Sequence, residues 1–200
     1  AMRKEYSLAR RLQLIVASLL IFTLGLVGIV LDHSFASSAE KASIDRLDLQ
    51  LYALLGSVEI REQGLALPVY LNAQQFNHIN SGLFAVVLNS DGKVVWASSS
   101  IQYENTLLLK GDMPLPSRGG KIVNIHKDSI EPLFVVQYGV AWETAGELKD
   151  YVVVVGESME AYASLVLSYR QTLWGWLCGA GLFLLLVQVL VVRYVLNPLK

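Results

Sequence analysis

"LQLIVASLLIFTLGLVGIVL", residues 12–31, carries no charged side chain, and neither does "QTLWGWLCGAGLFLLLVQVLVV", residues 171–192. At about 1.5 Å rise per residue, a helix of either length crosses a hydrocarbon layer about 30 Å thick. Arg11 and Asp32 bracket the first run, and Arg170 and Arg193 bracket the second. The two runs account for a chain that is 54% hydrophobic and only 16% charged, too apolar for an ordinary soluble domain. The reading is two transmembrane helices with a domain of residues 32–170 between them.

Charge sets the orientation. Outside 32–170 the charge balance is +5, from Arg3, Lys4, Arg10, Arg11, Arg193 and Lys200 against Glu5; within 32–170 it is −6. Basic flanks stay in the cytoplasm, which places both termini inside and the middle domain outside. Trp174, Trp176 and Tyr194 suit interfacial belts at the ends of the second span. A signal peptide is the rival for the first run, with "SSA" (37–39) as a cleavage site, but its apolar stretch exceeds a signal sequence's usual core. In a bacterial cell the assignment is an inner-membrane protein with a periplasmic domain. Its acidic balance suits cations, cationic peptides or divalent ions bridging to anionic lipid, and equally suits plain solubility; no nucleic-acid partner is expected.

The outer domain has no cysteine, and the chain's single one, Cys178, lies within the second run as a small apolar filler. Ile44, Leu47, Leu51, Leu54, Leu55 and Val58 recur at helical spacing, with Asp45, Arg46 and Asp48 on the other face. The first span therefore continues outward as one helix, ending near Gly64. Asn72 with Gln75 has the pattern of a helix cap. Strands follow at 83–89 and 93–100, joined through Gly92 as a hairpin, then at 121–127, 133–143 and 151–158. The polar stretch "TAGELKD" (144–150) reads as a loop. The predicted fold class is an α+β membrane protein, with a PAS/PDC-like antiparallel-sheet sensor between two transmembrane helices. The divisions are 1–11 cytoplasmic, 12–31 first span, 32–170 sensor, 171–193 second span and 194–200 the start of a linker.

Several residues are site candidates. Glu143, Glu147 and Asp150 cluster at one hairpin end, with Asp128 and Glu131 in another loop; hard cations need several such oxygens converging at about 2.3 to 2.6 Å. The same residues also fit a solvated loop. His126, next to Lys127 and Asp128, is a candidate pH sensor because imidazole as a class changes charge near neutral pH, or it is a plain surface histidine at a strand end. His33, one residue past Asp32, marks the membrane edge. Trp96 and Trp142 line a small-molecule pocket or the core. Gly175 and Gly179 form a GxxxG, which is either a close-packing face for a partner helix or a chance spacing of a common motif. Gln188 places an amide in hydrocarbon, where it needs a partner; Gln13, Ser18 and Thr23 on the first span are in the right class within a dimeric four-helix bundle.

A family resemblance joins these parts. Phe76-Asn77, Ser81-Gly82-Leu83-Phe84-Ala85, the Asp91-Gly92 turn and Trp96 resemble the PhoQ-like group of bacterial sensor histidine kinases, as do "GVAWE" (139–143) and the run from Tyr169 to the Pro198-Leu199 step. That step resembles the entry to a HAMP linker, where proline starts a new helix. The resemblance implies a homodimer in membrane lipid. It also implies a kinase domain beyond Lys200 that uses ATP and Mg, and phosphotransfer to a response regulator. None of His33, His78 or His126, all on the outer side, is the phosphoacceptor. The group's best-known enteric members carry an acidic, cation-binding insertion; here "DSIEP" (128–132) takes its place, so the cation in the sensor is an open expectation. A chemoreceptor, a membrane-bound cyclase or a tethered binding subunit would share the two spans and outer domain.

Overall fold

In the computed structural model the described residues are 2–61, 64–67, 74–79, 81–101, 114–126, 132–144 and 146–196. Two long helices and seven strands make up their regular structure, with one 3-10 turn at Gln74–Asn77. The chain divides into two compact units. One comprises Ala1–Ala39 and Ala163–Lys200; the other is Glu40–Tyr162.

The first unit is a pair of helices. α1 (Met2–Gly56) contributes its N-terminal part, and α2 (Glu160–Leu196) contributes nearly all of its length. Both are long and apolar enough to cross a membrane. Almost none of either apolar stretch is buried within the chain, and Leu14, Leu19, Phe22, Leu182 and Phe183 all lie open. A soluble protein would hide such residues; in a bilayer they meet lipid.

The second unit is built on a five-stranded, wholly antiparallel sheet in the order β4-β3-β7-β6-β5. β3 is Leu83–Asn89, β4 Val94–Ala97, β5 Lys121–His126, β6 Leu133–Thr144 and β7 Glu147–Ser158. The central strands β3, β6 and β7 are buried on both faces, so they read as continuous Val-rich runs rather than alternating ones. One face carries Leu83, Ala85, Val87, Phe134, Val136, Val153 and Val155, and the outer turns of α1 lay Leu47, Leu51 and Leu54 against it. Burying each of these leucines stabilises the unit by about 1.5–3 kcal/mol. The opposite face carries Phe84, Val86, Leu88, Val135, Val152 and Val154. Gly139 lies there under the carbonyls of Pro116 and Ser117, a fit that excludes a Cβ.

Three expectations need correction. α1 ends at Gly56, not near Gly64, because Ser57 turns back to the Leu54 carbonyl through both its amide and its hydroxyl. A small hairpin follows, β1 (Glu59–Arg61) paired with β2 (Gly64–Ala66). The loop expected at 144–150 is mostly strand: β6 and β7 stay paired out to Thr144 and Glu147, and Gly146 makes the turn at φ +80°. β4 stops at Ala97, where Ser98 and Ser100 turn inward and bond each other at 2.8 Å. The Asp91-Gly92 hairpin forms as expected, with Gly92 at φ +73° and the Asn89 side chain accepting from the amides of Asp91 and Lys93. The Asn72 part of the proposed helix cap lies outside the described residues.

Candidate functional site

In the helix pair, residue numbers ascend on α1 as they descend on α2, and a series of contacts fixes this antiparallel register. Arg170 Nε donates to Asp32 Oδ1 at 2.6 Å. Beside that ion pair Phe35 and Tyr169 stack, with ring centroids 3.7 Å apart and planes 11° from parallel. Further along, Gly28 lies against Trp174 and Leu177, and a Cβ there would come within 2.7 Å of Leu177. Gly181 meets Leu24. At the other end of the apolar runs Gln188 Nε2 donates to the backbone carbonyl of Gln13 at 3.0 Å.

Gln188 thus has a partner on the first apolar run, on a residue singled out from the sequence, although the acceptor is the main chain and lies in the same chain. Ser18 and Thr23 instead bond carbonyls of their own helix, Ile15 and Leu19. A hydrogen bond of this kind between membrane helices is worth on average about 0.6 kcal/mol and at most about 1.7. A bond of that size favours this pairing of the two helices without locking it. The close seam runs through Gly28 and Gly181, which sequence reasoning missed because neither sits in a GxxxG. Gly175 and Gly179 have nothing within 4 Å of where a Cβ would stand, so their face is open on the described chain. Pro198 lies outside the described residues.

In the sheet unit, two ion pairs flank Leu47. Arg46 Nη2 bridges both carboxylate oxygens of Glu157, at 2.6 and 2.7 Å, and Lys121 pairs with Asp48. Arg46 and Asp48 were expected on a solvent face; a helix 0% exposed at Leu47 puts its two neighbours at the rim of the same contact. Arg46 is half-exposed, so its pair falls in the range of about 0.2–1 kcal/mol usual for accessible ions. Its value is positional. Only Ser158 and Met159 lie between Glu157 and α2, so the ion pair ties α1 to the strand end from which α2 departs. That strand end is also held by the Ser158 amide on the Gly82 carbonyl, the Met159 amide on the Pro132 carbonyl and a Phe134–Tyr162 edge contact.

The acidic candidates do not converge. Glu143 is opposite Leu148 and Asp150 opposite Ala141, on one face of the β6–β7 ribbon; Glu147, opposite Thr144, projects from the other. Asp150 is taken by Arg118 at 2.8 Å. No three metal-binding side chains gather among the described residues. Asp128 and Glu131 lie outside them. His126 is partly buried at the end of β5, and its Nε2 is enclosed without a hydrogen bond among the described residues, unlike the surface histidine expected. Trp96 and Trp142 pack against the core, Trp142 with its ring 5.6 Å from that of Tyr151.

No family model matches the chain. Over 180 residues, 90% of its length, it is 26% identical to the two-component sensor PhoQ of Pseudomonas aeruginosa, and it spans 39% of that protein. The similarity supports a sensor-kinase-like protein at a coarse level and covers both helices and the sheet. Together with two apolar helices it is consistent with an inner-membrane location.

Proposed function

We propose that this chain is the sensory and transmembrane part of a PhoQ-like, homodimeric two-component histidine kinase. The sensor of 32–170 stands in the periplasm as a PAS-like domain, and both termini lie in the cytoplasm. Pro198 begins a HAMP linker. A kinase domain beyond it binds ATP and Mg, phosphorylates a histidine and passes the phosphate to a response regulator.

One observation carries the reading. Both routes from the sheet unit to the apolar runs are continuous regular structure: α1 runs unbroken from Met2 to Gly56, and one residue, Met159, separates β7 from α2. A domain meant only to bind could hang on a loop. A sensor has to pass a displacement on, and helices that are at once core elements and membrane segments can do that. The antiparallel sheet with a helix against one face supports the PAS-like reading, and the similarity to a two-component sensor supports the output. In this mechanism a stimulus moves the sheet against Leu47, Leu51 and Leu54. The Arg46–Glu157 tie shares that movement with the start of α2, and the Gln188–Gln13 bond sets the balance between two bundle packings. The candidate stimuli are cations, cationic peptides, pH or a small molecule.

The test is the coding sequence beyond Lys200. A HAMP helix pair followed by a histidine-bearing dimerisation helix and an ATP-binding domain supports the proposal. A long methylatable coiled coil, a cyclase domain or an immediate stop contradicts it.

A further inference from the structure

A groove of about 380 Å³ opens along one side of the helix pair, between Ile21 and Gly25 on α1 and Trp174, Cys178, Gly181 and Leu185 on α2. Its origin is local. Gly28 and Gly181 pull the backbones together, whereas Gly25 has nothing within 4 Å of its absent side chain. The space that side chain would occupy is part of the groove.

We infer that this groove holds one acyl chain of a phospholipid from the outer leaflet. The inference rests on reading α1 and α2 as membrane spans. Three features favour an acyl chain over a helix of a second copy. The first is depth: from Trp174 to Leu185 the helix rises about 16 Å, close to half of a hydrocarbon core about 30 Å thick, so the groove runs through one leaflet and stops. The second is volume. An apolar cavity of about 150 Å³ accepts benzene, so 380 Å³ matches roughly 15 carbons, one lipid tail. The third is charge. One turn above Trp174 stands the Arg170–Asp32 ion pair, with Arg170 half-exposed. A zwitterionic headgroup there complements it, phosphate to guanidinium and ammonium to carboxylate.

Cys178 lines the groove, is exposed and is the chain's only cysteine, so it reports on the occupant. The test places the chain in nanodiscs of phosphatidylethanolamine carrying a photoreactive diazirine on one acyl chain, and maps the adducts by mass spectrometry. Labelling should concentrate on Cys178 and its groove neighbours over Phe183, which is equally apolar and 66% exposed elsewhere on the same helix. Gly25→Leu, whose Cβ meets nothing within 4 Å and whose side chain starts from the groove wall, should lower Cys178 labelling to the Phe183 level. Gly175→Leu, placed in open space outside the groove, should leave it unchanged. Equal labelling of Cys178 and Phe183, indifferent to Gly25→Leu, would show ordinary annular lipid and overturn the inference. So would rapid Cys178–Cys178 disulfide formation under mild oxidation, which would put a second copy in the groove. Absence of acyl adducts from both helices would overturn the membrane reading itself.

Discussion

Leu47 and Leu49 are two residues apart on α1, yet the first is 0% and the second 71% exposed. Replacing each by alanine tests whether the outer turns of α1 belong to the core of the sheet unit. Leu47→Ala removes a side chain packed among Phe134, Val136 and Val153 and leaves a cavity that the sheet fills only partly. The expected loss is about 2–5 kcal/mol. Leu49→Ala removes solvent-facing surface and should stay within about 0.5 kcal/mol of the parent. Hydrogen exchange on the chain in nanodiscs reads both, through the slow amides of β6 and β7. A loss of 2 kcal/mol speeds their exchange by roughly 30-fold if they open by unfolding of the unit. Leu49→Ala should leave them as they were. Equal effects, or a larger effect at Leu49, would mean that the helix presents another face to the sheet, and the proposed route from sheet to membrane would lose its first contact.

Further outcomes follow from other contacts. Gly156→Ala, near the C-terminal end of β7, drives a methyl into the ring of Phe84 on β3 and should cost about 1–3 kcal/mol as overpacking; Phe84→Leu in the same chain should restore part of it. Asp150→Ala breaks the exposed pair with Arg118 and should change stability by less than about 1 kcal/mol, less still in high salt, measured by the same exchange. Gln188→Leu removes the amide bond to Gln13, and under the proposed function should shift the ratio of kinase to phosphatase activity in the full-length protein by roughly threefold, and by at most about 18-fold. An unchanged ratio takes Gln188 out of the switch.

Much of this architecture was legible because burial is written into composition. A strand covered on both faces needs apolar residues at every position, and "YVVVV" and "LFVVQ" say so without ambiguity. The helical stripe at Leu47, Leu51 and Leu54 was equally plain. What misled was polarity taken as a sign of loop. Glu147–Asp150 continues β7 beyond the edge of the core, where a paired strand faces solvent on both sides and carries charges like any surface. The end of α1 was overestimated because apolar spacing persists past Gly56, while the stop depends on Ser57 bonding back to Leu54. Arg46 and Asp48 looked like solvent residues because nothing local announces that Glu157 and Lys121, remote in sequence, arrive beside them. The candidate carboxylates failed to gather for a related reason: nearness in sequence along a hairpin alternates faces, so Glu143 and Glu147 project oppositely. In the helix pair, Gln188 was readable as a polar group needing a partner. The seam at Gly28 and Gly181 was not, since a lone glycine in an apolar run has no pattern to mark it.

In the proposed function the sheet unit controls a histidine kinase through α1 and α2, which continue from it into the apolar runs. The most direct test is autophosphorylation of the full-length protein in proteoliposomes, comparing the parent with Arg46→Ala and Leu47→Ala. The expected result is phosphohistidine formation from ATP in the parent and a shifted basal level in both variants, although both substitutions lie in the sheet unit and outside the apolar runs. Phosphorylation identical in all three would contradict control by this route, and no phosphohistidine in the parent would contradict the kinase itself.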